Sequence, residues 1–218
     1  MTAVFWFFSP AENSTALAAT GSLSAALSKP LPAKPVTQRL QQSPGPLRIG
    51  IISGHKGSDA GAVCDDSGLT EVDVNAAIAN QVAQNLRAQG ITVDVLDEFD
   101  PRLDGYVATA LISIHADSCV YYNELATGFK IAGSSFTDSS TLFNCVEQAY
   151  AHITELPYHA NTITPHMTDY HAFREIAPGT PAIIIETGFL QLDKNVLTSS
   201  EGKPAKGITE GILCFLNQ

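Results

Sequence analysis

Three short runs of this chain are apolar with almost no alternation: LRIGII at Leu47–Ile52, LISI at Leu111–Ile114 and AIII at Ala182–Ile185. A strand with one wet face alternates apolar and polar residues, so runs of this kind belong to strands buried on both faces. Helical spacing fills the segments between them. In Glu71–Gln89, Ile78, Val82 and Leu86 recur every four residues beside Ala79 and Ala83, and Gly90 supplies a stop. Thr70 stands where an N-cap would stand, with Asp73 three residues on. Thr141–Ile153 carries Leu142, Val146, Ala149 and Ile153 along one face, and Ile208–Leu216 closes the chain as an apolar helix. Ile91–Leu96 (ITVDVL) and Gly128–Ala132 (GFKIA) read as further strands, and Pro101–Ala110 as a short helix. Strands alternating with helices, the strands apolar throughout, predict an α/β domain with its sheet covered on both faces.

This domain starts at Leu47 and takes up residues 47–218, enough for one core and short for two. Residues 1–46 have the composition of a Pro/Ala/Ser-rich tail or linker, punctuated by Pro30, Pro32, Pro35, Pro44 and Pro46. Such a segment buries too little apolar surface to offset its ordering entropy, so it is expected to be extended or disordered. Val4–Phe8 is apolar and small residues follow it, but the basic start and longer apolar run of a signal peptide are missing. The segment is therefore either the remnant of a longer export signal or a short tail. No stretch of about 18 apolar residues offers a complete transmembrane helix. Acidic residues number 22 against 12 basic ones, for a net charge of -10, and no Lys/Arg cluster could track phosphates, which argues against nucleic acid as a partner. Cys64, Cys119, Cys145 and Cys214 show no CxxC spacing, so they read neither as a zinc finger nor as a redox motif.

Three of the apolar strands run into a residue that can bind metal or move a proton. The first leads to Ser53-Gly54-His55, the second to Ser113-Ile114-His115 and the third to Glu186-Thr187-Gly188, while Glu71 opens the first long helix. Open α/β sheets bind ligands outside the carboxyl ends of their strands, so these four residues converge on the edge where a site would form. Two histidines and a carboxylate are a common zinc set that leaves a coordination position open. Amide or ester hydrolysis at such a metal needs a further carboxylate to carry protons. We assign His55, Glu71 and His115 to a Zn2+ ion and Glu186 to the catalytic base.

Four segments carry a resemblance. They are Ile52–Ala62 (ISGHKGSDAGA), Thr70–Asn75 (TEVDVN), Ser113–Asp117 (SIHAD) and Ile185–Leu190 (IETGFL). In order and spacing they resemble the signature blocks of the zinc-dependent N-acetylmuramoyl-L-alanine amidases of the amidase_3 family, over about residues 47–217. The resemblance implies a twisted, mainly parallel sheet with helices on both faces. It also implies zinc on His55, Glu71 and His115, catalysis by Glu186, and hydrolysis of the amide between muramic acid and L-alanine in peptidoglycan. That substrate lies outside the cytoplasmic membrane, so an extracytoplasmic location follows. An unidentified activating partner is compatible with it. Lys56 stands where the family usually has a second Gly, and Asp117 where it usually has Asn; neither change removes a ligand.

Each residue also has a plainer reading. His55 could solvate a turn, His115 could be a hydrogen-bonded core histidine, Glu71 could complement the helix dipole, and Glu186 could sit in a structural ion pair. Asp59 and Asn75 are candidates for orienting the ligands from behind, Asn75 one helical turn beyond Glu71. His171 and Arg174 are candidates for holding substrate carboxylates, whereas His159 and His166 read as surface-loop residues. Cys64 and Cys119 lie in loops that must both approach the metal, and a disulfide between them is expected; Cys145 and Cys214 read as small buried hydrophobes on helix faces. At the level of function the rivals are a zinc peptidase cutting within the stem peptide and a non-catalytic cell-wall binding module.

Overall fold

The computed structural model describes residues 47–199 and 201–218. The expected tail at residues 1–46 lies outside the described residues. The elements are β1 (Arg48–Ser53), α1 (Glu71–Ala88), β2 (Thr92–Leu96), β3 (Ala110–Asp117), β4 (Lys130–Gly133), α2 (Ser140–Thr154), α3 (Pro165–Thr168), α4 (His171–Glu175), β5 (Ala182–Phe189), α5 (Lys194–Leu197) and α6 (Lys203–Leu216). The strands form one sheet in the order β2-β1-β3-β5-β4. Four of them are parallel, and β4 lies antiparallel to β5 at one edge. This is the mainly parallel α/β sheet expected from the apolar strands.

The two faces are covered differently. Ile49 and Ile51 of β1, Ile112 and Ile114 of β3, and Ile183 and Ile185 of β5 pack with α1, α2 and α6 in one cluster. The alternate residues Ile52, Leu111, Ala182 and Ile184 pack against Leu103, Tyr106, Met167, Tyr170 and Phe173, which come from short helices and irregular chain. Burial on both faces explains why these strands lack alternation.

Some boundaries differ from expectation, each for a local reason. Pro101–Ala110 is not a helix beyond one 3-10 turn, Pro101–Leu103. The Asp100 side chain caps that turn, Gly105 at φ 67° turns the chain away, and Ala110 already pairs with Ile49. α6 begins five residues before Ile208, because Pro204 is accommodated in a first turn, where no N–H partner is lost. β3 and β5 continue past their apolar runs, so His115 and Glu186 lie within strands, directly paired in register, just before an irregularity between His115 and Asp117.

α2 and α6 approach closely at Gly207 and Gly211, whose missing side chains admit the backbone of Tyr150 and Val146. This proximity corrects the reading of Cys145 and Cys214 as separate buried thiols: they form a disulfide, with Cα atoms 5.7 Å apart. Sequence periodicity places each cysteine on its own helix face but does not pair the faces. A Cβ at position 211 would lie 2.5 Å from the Val146 Cα, a backbone atom that cannot yield. Gly211→Ala is therefore expected to push the helices apart and cost about 1–3 kcal/mol. Urea denaturation measures this, and an unchanged midpoint would show that the helices do not depend on that close approach.

Candidate metal centre

β1 delivers the chain to Gly54 and His55 at the carboxyl edge of the sheet. His55 has a left-handed φ of 65°. That conformation costs a residue with a Cβ roughly 1–2 kcal/mol and needs anchors. Two are present: Gly54 N–H donates to the Ile114 carbonyl at 3.0 Å, and His55 N–H donates to Glu98 Oε2 at 2.9 Å. The following loop then folds back onto the start of α1. The carbonyls of Ala62 and Ala60 accept from Glu71 N–H and Val72 N–H, while Thr70 caps the helix through Asp73 N–H. Helix starts leave N–H groups unpaired, and here the loop supplies partners for them. Cys64 in this loop is disulfide-bonded to Cys119 in the loop after β3, Cα to Cα 5.2 Å, so the segments carrying His55 and His115 are covalently tied.

The side chains of His55, Glu71 and His115 meet at one point. Glu71 Oε1 lies 3.1 Å from His55 Nε2 and 3.2 Å from His115 Nδ1. One ligand atom from each residue falls within 4.8 Å of the others. Two glycines keep the space open. A Cβ on Gly54 would sit 2.5 Å from the His115 ring, and one on Gly61 2.6 Å from Glu71 Oε2. Asp59 Oδ1 stands 2.6 Å behind His55 Nδ1, and Asn75 donates to Glu71 Oε1 at 3.3 Å. Two imidazoles and one carboxylate suit zinc rather than calcium or magnesium, which prefer all-oxygen sets. The residues therefore fit a zinc ion.

The electrostatics suit a cation. Burial alone would raise Glu71, but its bonds to His115, His55 and the Ala62 N–H outweigh that and hold its carboxyl well below the usual range. Burial disfavours a charged His115, yet Glu71, Glu98 and Glu186 together push it up to about 10. Negative charge is concentrated at this spot, so it favours a cation there. Glu186 behaves differently. Burial pushes its carboxyl up to about 7, with His115 and Lys130 opposing the rise and Glu71 and Asp117 adding to it. Its Oε2 is fully enclosed and has no hydrogen-bond partner among the described residues.

The remaining candidates fall in different places. His171 opens α4 with Nε2 3.1 Å from Glu98 Oε1 and Nδ1 2.9 Å from Glu175. Arg174 is spent on Asp169, bonding its carbonyl at 2.6 Å and its carboxylate at 2.7 Å. His159, expected in a surface loop, is half-buried with its ring edge-on to Phe189 at 5.2 Å. Both departures from the family pattern carry a countercharge: Lys56 pairs with Asp97 at 2.7 Å, and Asp117 with the buried Lys130. Sequence reading missed Glu98, a buried carboxylate two residues beyond β2. The strand-end reasoning that selected His55 and Glu186 would have found it, had it been applied to ITVDVL.

Comparison with known proteins agrees with this geometry. Residues 49–214 match the Amidase_3 family, described as N-acetylmuramoyl-L-alanine amidase. A search of curated protein sequences found no match. Among solved structures, the amidase AmiC2 of Nostoc punctiforme is 27% identical, with a TM-score of 0.59 over 80% of this chain and 99% of that one. The CwlD amidase of Clostridioides difficile, solved with the GerS lipoprotein, has a TM-score of 0.64 at 22% identity, over 78% of this chain and 98% of that one. Ami1 of Mycobacterium smegmatis shares the fold at 18% identity and a TM-score of 0.61, over 78% of this chain and 97% of that one. With the family match spanning nearly all of the folded part and the four signature blocks gathered at one sheet edge, the chain belongs to the Amidase_3 family of N-acetylmuramoyl-L-alanine amidases.

Proposed function

We propose that this amidase cleaves the bond between N-acetylmuramic acid and L-alanine with a zinc ion held by His55, Glu71 and His115, and with Glu186 as its proton carrier. The observation that carries this reading is the meeting of His55 Nε2, His115 Nδ1 and Glu71 Oε1, beside a carboxyl that burial has moved to about 7. When bound, zinc supplies Lewis acidity, polarising a carbonyl oxygen and acidifying water.

The chain's own residues do the rest. A carboxyl near 7 exchanges its proton readily at neutral pH, which is the property an acid–base catalyst needs. As a base, Glu186 takes a proton from the water whose oxygen bonds to the lactyl carbonyl carbon. As an acid, it returns that proton to the alanine nitrogen while the C–N bond breaks. Asp59 fixes the His55 ring from behind, through Nδ1, which leaves Nε2 for the metal. Asn75, Ala62 N–H and Ala116 N–H hold the Glu71 carboxylate.

We also propose that the protein works outside the cytoplasmic membrane. The substrate lies there, and two disulfides suit an oxidising compartment. Among the described residues no helix is long and apolar enough to cross a membrane. CwlD was solved with a lipoprotein, so a partner for this chain is the first thing to add if the zinc-loaded enzyme is silent.

Mass spectrometry of products from purified peptidoglycan is the direct test. Free stem peptides beginning at L-alanine are expected, together with glycan strands bearing the lactyl carboxylate. Fragments cut inside the stem would instead identify a peptidase, and wall binding without release a binding module. Glu186→Gln should keep zinc bound while lowering turnover by about 10²–10⁴-fold; loss of zinc in that variant would move Glu186 into the metal's own ligand set. Gly54→Ala should act in the opposite way, by driving a methyl group into the His115 ring. Elemental analysis is expected to find it folded by circular dichroism but depleted of zinc, and full occupancy would refute the packing account of that glycine.

A further inference from the structure

We infer that Glu98 is a positioning residue for the metal centre: one carboxylate that fixes the backbone of the first histidine ligand and the ring of the second. The inference rests on the zinc reading above and goes beyond it, because Glu98 lies in none of the four signature blocks. Both of its oxygens are occupied. Oε2 accepts from His55 N–H at 2.9 Å and lies 3.4 Å from His115 Nε2, an ion-pair approach without hydrogen-bond geometry that leaves Nε2 with no hydrogen-bond partner among the described residues. Oε1 accepts from the Tyr170 hydroxyl at 2.8 Å and lies 3.1 Å from His171 Nε2. Glu98 is 7% exposed, and burying a carboxylate costs several kcal/mol unless its charge is met. A core position gains nothing from such a group. One that must hold two ligands does.

The geometry separates positioning from ligation. His115 meets Glu71 through Nδ1, and the opposite ring nitrogen, Nε2, faces Glu98. A metal on the Nδ1 side and the Glu98 carboxylate therefore lie on opposite sides of the imidazole. An imidazole that ligates through Nδ1 carries its proton on Nε2, and a carboxylate 3.4 Å away on that side favours this tautomer electrostatically. Asp59 does the same for His55 with the nitrogens exchanged, since it stands at Nδ1 and leaves Nε2 for the metal. Each histidine thus has a carboxylate behind it. Glu98 has the further task of holding His55 in its left-handed conformation through the backbone N–H.

Glu98 is itself placed by the loops. Its N–H donates to the Lys56 carbonyl at 2.9 Å, and Lys56 Nζ reaches back to Asp97. Tyr170 bridges from Glu98 to Ser113 in β3, accepting from the serine hydroxyl at 3.1 Å. His171, read from sequence as a substrate contact, is one of the donors that hold this carboxylate, and its ring lies against Phe99 at 4.6 Å.

The test measures zinc affinity by competition with a chromophoric chelator, on wild-type protein, Glu98→Gln and a Tyr170→Phe/His171→Gln double variant. It adds the melting temperature of each metal-free protein and the visible spectrum of each cobalt-loaded form. A Gln side chain has one acceptor oxygen, so E98Q must lose one of the two pairs. Zinc affinity should fall about 10–100-fold with stoichiometry still one, and the cobalt spectrum should shift. The double variant keeps the carboxylate but frees its far oxygen, and should weaken zinc by a smaller factor; it reads the proposal should E98Q not fold. Wild-type zinc affinity in folded E98Q, with only the metal-free melting temperature lowered, would overturn the positioning role in favour of a structural one. Loss of zinc stoichiometry in E98Q would overturn it in favour of direct ligation. Wild-type protein that binds no zinc would overturn the metal reading itself and this inference with it.

Discussion

Glu71 holds a negative charge where water is almost excluded, at the first turn of α1, the longest helix among the described residues. A buried carboxylate is tolerated only when its charge is met, and the surrounding structure is arranged to meet it. The N–H groups of Ala62 and Ala116 and the amide of Asn75 donate to it, and the rings of His55 and His115 flank it. These partners come from the loop after β1, from β3 and from α1. Satisfying one carboxylate therefore fixes three separate parts of the chain against one another.

The sheet makes that convergence repeatable. Parallel strands present their carboxyl ends along one edge, and in this order β1, β3 and β5 are adjacent. His115 and Glu186 are register partners, so the second histidine and this carboxyl sit side by side through strand pairing alone. His55 and Glu71 reach the same edge by a loop, which is softer than a strand. The Cys64–Cys119 bridge and the bonds from that loop to the start of α1 supply the missing stiffness.

How much of this was legible depended on the range of the signal. Apolar runs such as AIII announce buried strands within four residues, and Thr70 with Asp73 announces the start of α1. His55, Glu71, His115 and Glu186 stood out because each follows or opens such an element. Glu98 also follows a strand end, two residues past β2, but its role was not legible there, because its partners His55, His115, Tyr170 and His171 are scattered through the sequence and only the tertiary fold gathers them. Cys145 and Cys214 were misread for the same reason, since pairing two helix faces is not a local property. Pro101–Ala110 failed differently: a weak helical pattern yielded to strand pairing that begins at Ala110.

The two departures from the family pattern show why a changed residue near a site must be judged with its partner. Lys56 and Asp97 are both about half exposed, so their ion pair contributes roughly 0–1 kcal/mol. The stronger link at that corner is the backbone bond from Glu98 to Lys56. Asp117 and Lys130 are another matter, because the lysine is buried and removing either partner would strand the other's charge. In the strand order β3-β5-β4 this pair spans β5, the strand of Glu186, and Lys130 is the register partner of Glu186. Asp117 raises the Glu186 carboxyl and Lys130 lowers it, so the two oppose each other there. Desolvation is left as the dominant influence. The acid of Asp117 beside Glu186 is met by a buried cation, Lys130.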